Sequence, residues 1–396
     1  MDAPARPAAP MPLLVAMMVS SQVAITIFLP SLPSMAEDLG TSQTAVQIII
    51  SAYLGAFALA QLVVGPLSDA FGRRRPLLVG LVLFTAASIA CAAAPNITFL
   101  IIARIFQAMG GCAGIVIARA IIRDTTDSAG STKAIAYLGM ALGVTPAVAP
   151  LIGGQLEVAF GWQASFLATA ALGAAVTVAT LATLQETLLP ADRRTTRVGD
   201  LVRTYMRLVR LPVFVGYGLS VGFTGAAFQA FIAGAPVAFI VVMGVPPQSL
   251  GLYIISVAVA YVIGNFASSR LSYRVGRNKM IAIGSALNVG GTLLSVVLAL
   301  AGLATPISLI IPLMIYSCGS GFVVPNALAG GLNIVEPANA GAAAALSGFA
   351  QMTCGFLSTL IVAALVQTSF LQVGLVMTAS VSIAWLCFFF LVTRRS

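Results

Sequence analysis

The sequence predicts an all-α integral membrane protein, with twelve transmembrane helices in two pseudo-symmetric six-helix bundles. Three observations predict it. Of 396 residues, 59% are apolar and 8% charged, where a soluble domain averages about 45–50% and about 25%. Twelve separate apolar stretches each approach the roughly 20 residues that a helix needs to cross a bilayer. The loop after the second stretch recurs, in altered form, after the eighth.

In chain order the first six spans are expected at Pro12–Leu32, Ala45–Leu67, Leu77–Ala94, Phe99–Ala118, Ala134–Leu156 and Ala164–Leu184. The second six are expected at Pro212–Ala235, Leu250–Ser269, Met280–Leu300, Ile307–Ala327, Ala340–Val366 and Val373–Val392. Twelve spans use roughly 250 residues, which leaves short connectors and no soluble catalytic domain. The first span resembles a secretory signal, but eleven further spans and the lack of a clear small-residue cleavage site favour a retained helix.

Charge placement sets the orientation. Nineteen of the twenty Lys and Arg fall at the chain ends or in one alternating set of connectors, Arg73–Arg75, Arg119, Arg203, Arg270 and Arg277 among them. The other set carries only Glu37, Asp38 and Glu157. Both termini are therefore expected in the cytoplasm, and the net charge of +9 is topological, so no nucleic-acid partner is expected. Histidine is absent, which removes the usual general base and zinc ligand. Cys91, Cys112, Cys318, Cys354 and Cys387 lie singly in apolar runs and read as small hydrophobes rather than metal ligands. No phosphate-binding glycine loop of the nucleotide-hydrolysing kind occurs. An enzyme is not expected.

The longest charged connector follows the sixth span and divides the chain into a bundle at 1–186, a cytoplasmic linker at 187–210 and a bundle at 211–396. Arg203, Arg207 and Arg210 are spaced like one face of a surface helix, and an ordinary solvated linker fits them equally. At an offset of 204 residues Leu67, Ser68, Gly72 and Arg73 match Leu271, Ser272, Gly276 and Arg277, which indicates duplication. Transporters built from two such bundles hold substrate near the midplane between the halves.

Several motifs resemble one family. Gly65-x-Leu-Ser-Asp69-x-x-Gly72-Arg73-Arg74 resembles the signature loop between helices two and three of the major facilitator superfamily. Arg104, with Gln107 and Gly110, resembles that superfamily's fourth-helix arginine motif. Gly139, Gly143, Pro146, Pro150, Gly153 and Gly154 are similar to the antiporter motif of its exporters, and Leu29-Pro30-Ser-Leu-Pro33 to the Bcr/CflA drug-resistance branch. The resemblance implies a bacterial inner-membrane antiporter. It would be a monomer that exports small amphipathic drugs or antibiotics by alternating access, driven by protons and needing no cofactor.

The residues suggest roles beside that resemblance. Asp69 and Gly72 read either as a turn with cationic anchors or as a conformational latch. The resemblance sets Asp69 against the start of span eleven, near Ala338–Gly341, with Arg73 pairing Asp124. An arginine in the middle of a span costs about 2.5–3.5 kcal/mol, so Arg104 is expected to face a bundle interior in substrate binding or coupling, or else to snorkel. The glycines and prolines of span five allow tight packing or a kinked seal between bundles. Gln22, Tyr53, Gln107, Tyr261 and Gln351 are polar residues within spans and read as cavity lining or as packing contacts. Where the Bcr/CflA branch carries an aspartate on span one, this chain has Thr26, and no Asp or Glu falls in any span core. Proton coupling would then use Asp69, Glu37 or Asp38 at the span edges, or be absent. A buried cation without a buried acid also suits an organic anion, so a metabolite or organic-anion facilitator or symporter is the alternative.

Overall fold

The computed structural model describes residues 10–125, 128–188, 198–336, 339–365 and 369–394. Among them all regular structure is helical. The first crossing is α1 (Met11–Thr26), a 3-10 turn at Leu29–Ser31 and α2 (Leu32–Asp38). Pro30 and Pro33 force that break, because proline has no N–H to give and disfavours helix in the residue before it. Next come α3 (Gln43–Phe71), α4 (Arg74–Ala92), α5 (Ile97–Thr125), α6 (Ser128–Phe160) and α7 (Gln163–Thr183). After the short α8 (Val198–Val209), the second half holds α9 (Pro212–Ala235), α10 (Pro247–Val275), α11 (Arg277–Leu300), α12 (Pro306–Asn333), α13 (Ala340–Ala364) and α14 (Leu371–Phe388). π-helical stretches extend α9 through Pro236–Val242 and α14 through Phe389–Thr393. Among the described residues eleven crossings are long and apolar enough to span a bilayer; α6 is the twelfth long helix.

The duplication is visible in backbone geometry. Gly72 ends α3 with φ +86° and Gly276 ends α10 with φ +88°, a left-handed turn that glycine adopts without a Cβ clash. Gly80 lets α4 approach the Gly110 carbonyl of α5, and Gly284, at the same 204-residue offset, lets α11 approach the Gly319 carbonyl of α12. Side chains larger than hydrogen would separate both pairs.

Helix ends fall into two groups. One, here the basic end, carries Arg73–Arg75, Arg274 and Arg277; the other, the acidic end, carries Glu37, Asp38 and Glu157. At the acidic end one buried cluster takes Phe28, Leu29 and Leu32 from the first bundle and Phe231, Phe239 and Leu250 from the second. Towards the basic end the cores are separate. Met17, Leu81 and Ile117 pack within one bundle; Tyr217, Val323 and Phe388 pack within the other. The bundles are thus joined at the acidic end.

Two sequence expectations are refined. Arg119, expected in a connector, lies inside α5, which runs on to Thr125, and its side chain is exposed. A long cationic side chain lets a helix outlast its apolar core, because the stem covers apolar surface and the head reaches water. Within the connector α8 is a helix, with Leu208 buried against Phe214 and Ala343; residues 189–197 lie outside the described residues.

Candidate functional site

Arg104 sits on α5 with no exposed surface. α1 ends at Thr26, so the carbonyls of its last turn lack onward helical partners. One of them, Ala24, accepts from Arg104 Nη1 at 2.8 Å. The same Nη1 donates to Gln107 Oε1 at 2.5 Å, one turn along α5. Gln107 Nε2 then donates to Ser88 Oγ on α4 at 2.7 Å. The guanidinium lies 4.4 Å from the Tyr53 ring centre, 4.5 Å from Phe28 and 5.9 Å from Phe166. Among the described residues its Nε and Nη2 have no hydrogen-bond partner. Aromatic faces attract a desolvated cation by roughly 0.5–2 kcal/mol each, so π density and carbonyl-type oxygens hold this charge, with no carboxylate among the described residues bonded to it.

The structure therefore brings together three of the expected binding residues, Arg104, Gln107 and Tyr53, inside the first bundle. Thr26 is buried nearby but turns its hydroxyl to the Gln22 carbonyl of its own helix, 3.4 Å away. Gln22, Tyr261 and Gln351 are half-buried. Gln351 packs on Gly225 of α9, and Tyr261 of α10 faces Gly143 of α6.

A second constellation lies at the basic end. Arg73, nearly fully buried, donates from Nε to Asp124 Oδ2 at 2.8 Å and from Nη1 to Asp69 Oδ1 and Ser68 Oγ. Burial opposes the charge of Arg73, but the hydrogen bonds and attraction of Asp124 and Asp69 outweigh it and push its pKa above the ordinary value. Among the described residues no hydrogen bond joins Asp69 to the first turn of α13; residues 337–338 lie outside them. Gly65 is half-buried on α3. Sequence reasoning missed Glu186. Its Oε1 accepts from the Arg73 backbone N–H at 2.8 Å and its Oε2 from that of Arg74 at 3.2 Å. The available signal was α4 itself, which opens on arginines with no acid in its first turn, although a helix N-terminus favours an anion.

The third constellation is the α6 seam. A Cβ on Gly153 would collide with the Ile27 carbonyl, and one on Gly154 would lie 2.8 Å from Gln248 Cα at the start of α10. Pro146 and Pro150 are buried within the same helix. Gly143 is less constrained, its nearest neighbour being Val262 at 3.7 Å from an added Cβ. Gly139 lies outside the residues whose side chains are described.

Two like-oriented six-helix bundles, one of them holding a buried cation among membrane-spanning helices, define the class of secondary membrane transporters. The family model described as Major Facilitator Superfamily matches residues 14–363, and the chain belongs to that superfamily. It is 32% identical over 385 residues to Multidrug resistance protein D of Escherichia coli, covering 97% of this chain and 96% of that one. It is 32% identical over 375 residues to the MFS-type transporter YdgK of Bacillus subtilis, covering 94% and 92%. To a bicyclomycin resistance protein homolog of Haemophilus influenzae it is 25% identical over 372 residues, covering 94% and 93%. Among solved structures it resembles a D-xylose-proton symporter, with TM-score 0.75, 15% identity and 95% and 97% of the two chains covered. It likewise resembles the partially occluded, inward-open xylose transporter XylE of E. coli, with TM-score 0.74 and 13% identity over 95% and 96%.

Proposed function

We infer that the chain exports small amphipathic compounds, antibiotics among them, by alternating access between its bundles (1–186 and 211–396, joined by the linker 187–210). The observation that carries this reading is its near full-length similarity to Multidrug resistance protein D. The glycine–proline seam of α6 supports it, because a seam tight enough to exclude Cβ atoms suits a barrier that must seal at one end. In this reading the basic end faces the cytoplasm of a bacterial inner membrane and the transporter acts as a monomer, without catalysis. Arg104, Gln107 and Tyr53 anchor or couple, Gln22, Tyr261 and Gln351 line the chamber, and Asp69, Gly72, Arg73 and Asp124 form the latch. Energy comes from the proton gradient through carboxylates at helix ends, such as Asp69, Glu37 or Asp38.

The test is expression in a host stripped of its own pumps, with tolerance to a drug panel measured with and without a protonophore. Raised tolerance to several amphipathic drugs, abolished by the protonophore, is expected. Unchanged tolerance together with uptake of one organic anion would establish the second reading, which the carboxylate-free setting of Arg104 favours.

A further inference from the structure

The acidic-end closure is built differently on its two sides. Between α6 and α10 it is backbone on backbone: Gly154 and Gly251 admit Gln248 and Leu151 with no room for a Cβ. Between α3 and the second bundle apolar packing, such as Gly55 against Phe356 and Leu54 beside Gly355, is joined by buried side-chain hydrogen bonds. Gln47 Nε2 donates to the Ala233 carbonyl of α9 at 3.1 Å, a link across 186 residues of chain. One turn along α3, Ser51 Oγ lies 2.8 Å from Thr359 Oγ1 of α13, across 308 residues. Thr359 gives its own proton to the Phe356 carbonyl at 2.9 Å, so Ser51 is the donor in the cross-bundle bond. Gln47, Ser51 and Thr359 are all buried.

Backbone packing of this kind cannot be undone by turning a side chain, whereas two directional hydrogen bonds can be released one at a time. Towards the basic end α3 turns inward to its own bundle, where Asp69 bonds Arg73. We propose that Gln47 and Ser51 of α3, gripping the Ala233 carbonyl and the Thr359 hydroxyl, are positioning residues that clasp the acidic-end gate and set how often it opens. The idea rests on the alternating-access reading. It adds which atoms of α3 hold that gate closed.

Hydrogen–deuterium exchange of the full chain in lipid nanodiscs, without substrate, tests it. Ser51→Ala removes one bond and leaves Thr359 bonded to Phe356; Gln47→Met removes the other while keeping side-chain length. Net cross-helix bonds in membranes are modest. Each variant should therefore raise exchange about threefold to fivefold at the acidic-end halves of α3, α9 and α13. Exchange at the basic end should fall, because a gate that opens on one side shuts on the other. Thr359→Ser keeps the hydroxyl and should keep the original pattern; Thr359→Val should behave as Ser51→Ala. Exchange that rises at both ends, or does not change, overturns the clasp, because simple loosening has no reason to carry opposite signs. Drug tolerance measured in parallel separates this outcome from the export reading: opposite-signed exchange in a chain that exports no drug would keep the clasp and discard the cargo.

Discussion

The guanidinium of Arg104 and the ring of Tyr53, on neighbouring helices, lie 4.4 Å apart with no water-exposed surface on the arginine. This contact explains how a full charge survives in a span without a carboxylate. Tyr53 is itself fixed by its hydroxyl, which donates to the Ser21 carbonyl at 3.2 Å. Two of the five groups around the cation, the Ala24 carbonyl and the Phe28 ring, come from the first crossing, which prolines break.

Arg104→Lys should abolish transport while the protein still inserts. A lysine keeps the charge but loses the planar group that stacks on rings, and its compact ammonium demands hydration that this site does not supply. Tolerance in pump-deficient cells should fall to that of the empty vector at unchanged membrane levels. Tyr53→Phe, which keeps the ring, should retain most activity, and Tyr53→Leu should not. Normal transport in Arg104→Lys would show that only charge matters.

Gln107→Leu should destabilise the first bundle by about 1–3 kcal/mol, the cost of stranding buried polar partners. Both Arg104 Nη1 and Ser88 Oγ lose a bond. A lower midpoint of thermal unfolding in detergent is expected, and an unchanged midpoint would mean that the pair contributes nothing to stability.

Gly153→Ala and Gly143→Ala make the same chemical change in one helix and should have opposite outcomes. At Gly153 the new methyl meets the Ile27 backbone carbonyl, which cannot rotate away; at Gly143 it gains an ordinary contact with Val262 at 3.7 Å. Overpacking of the first kind costs about 1–3 kcal/mol and pushes α6 away from the first crossing of its own bundle, displacing the seam that α6 forms with α10. Transport should be lost in Gly153→Ala and retained in Gly143→Ala, and equal activity in the two would remove the seam from the mechanism.

The fold was legible because a bilayer makes composition and periodicity speak for whole helices: apolar stretches gave the crossings, and Gly72 and Gly276 marked the repeated turn. Arg104 stood out because a cation in an apolar run is costly. Its surroundings did not, since Ser88 and Phe166 are ordinary residues that only three-dimensional packing sets beside it. Ser51 and Thr359 were equally silent: a hydroxyl in a helix usually bonds its own backbone, and nothing local reveals that these two meet across the bundles. Arg119 was misplaced because an apolar stretch reports where hydrocarbon ends, not where the helix does.

Glu186 should prove to be the cap that fixes the signature loop. Its carboxylate takes the backbone N–H groups of Arg73 and Arg74 at the start of α4 and that of Leu188 in its own loop. It occupies the space beside Gly72 that a Cβ would need. Removing a helix cap costs about 0.5–2 kcal/mol, and loss of an anion facing the N-terminal dipole adds about 0.3–1 kcal/mol. Glu186→Ala should therefore lower the thermal midpoint clearly, and Glu186→Gln, which keeps an acceptor without the charge, should fall between it and the parent. Gly72→Ala should be at least as damaging as Glu186→Ala, because it combines a strained φ of +86° with displacement of the same carboxylate. The order expected in a detergent melt is parent, Glu186→Gln, Glu186→Ala, Gly72→Ala. If Glu186→Ala melts with the parent, the loop is held by Arg73, Asp69 and Asp124 alone.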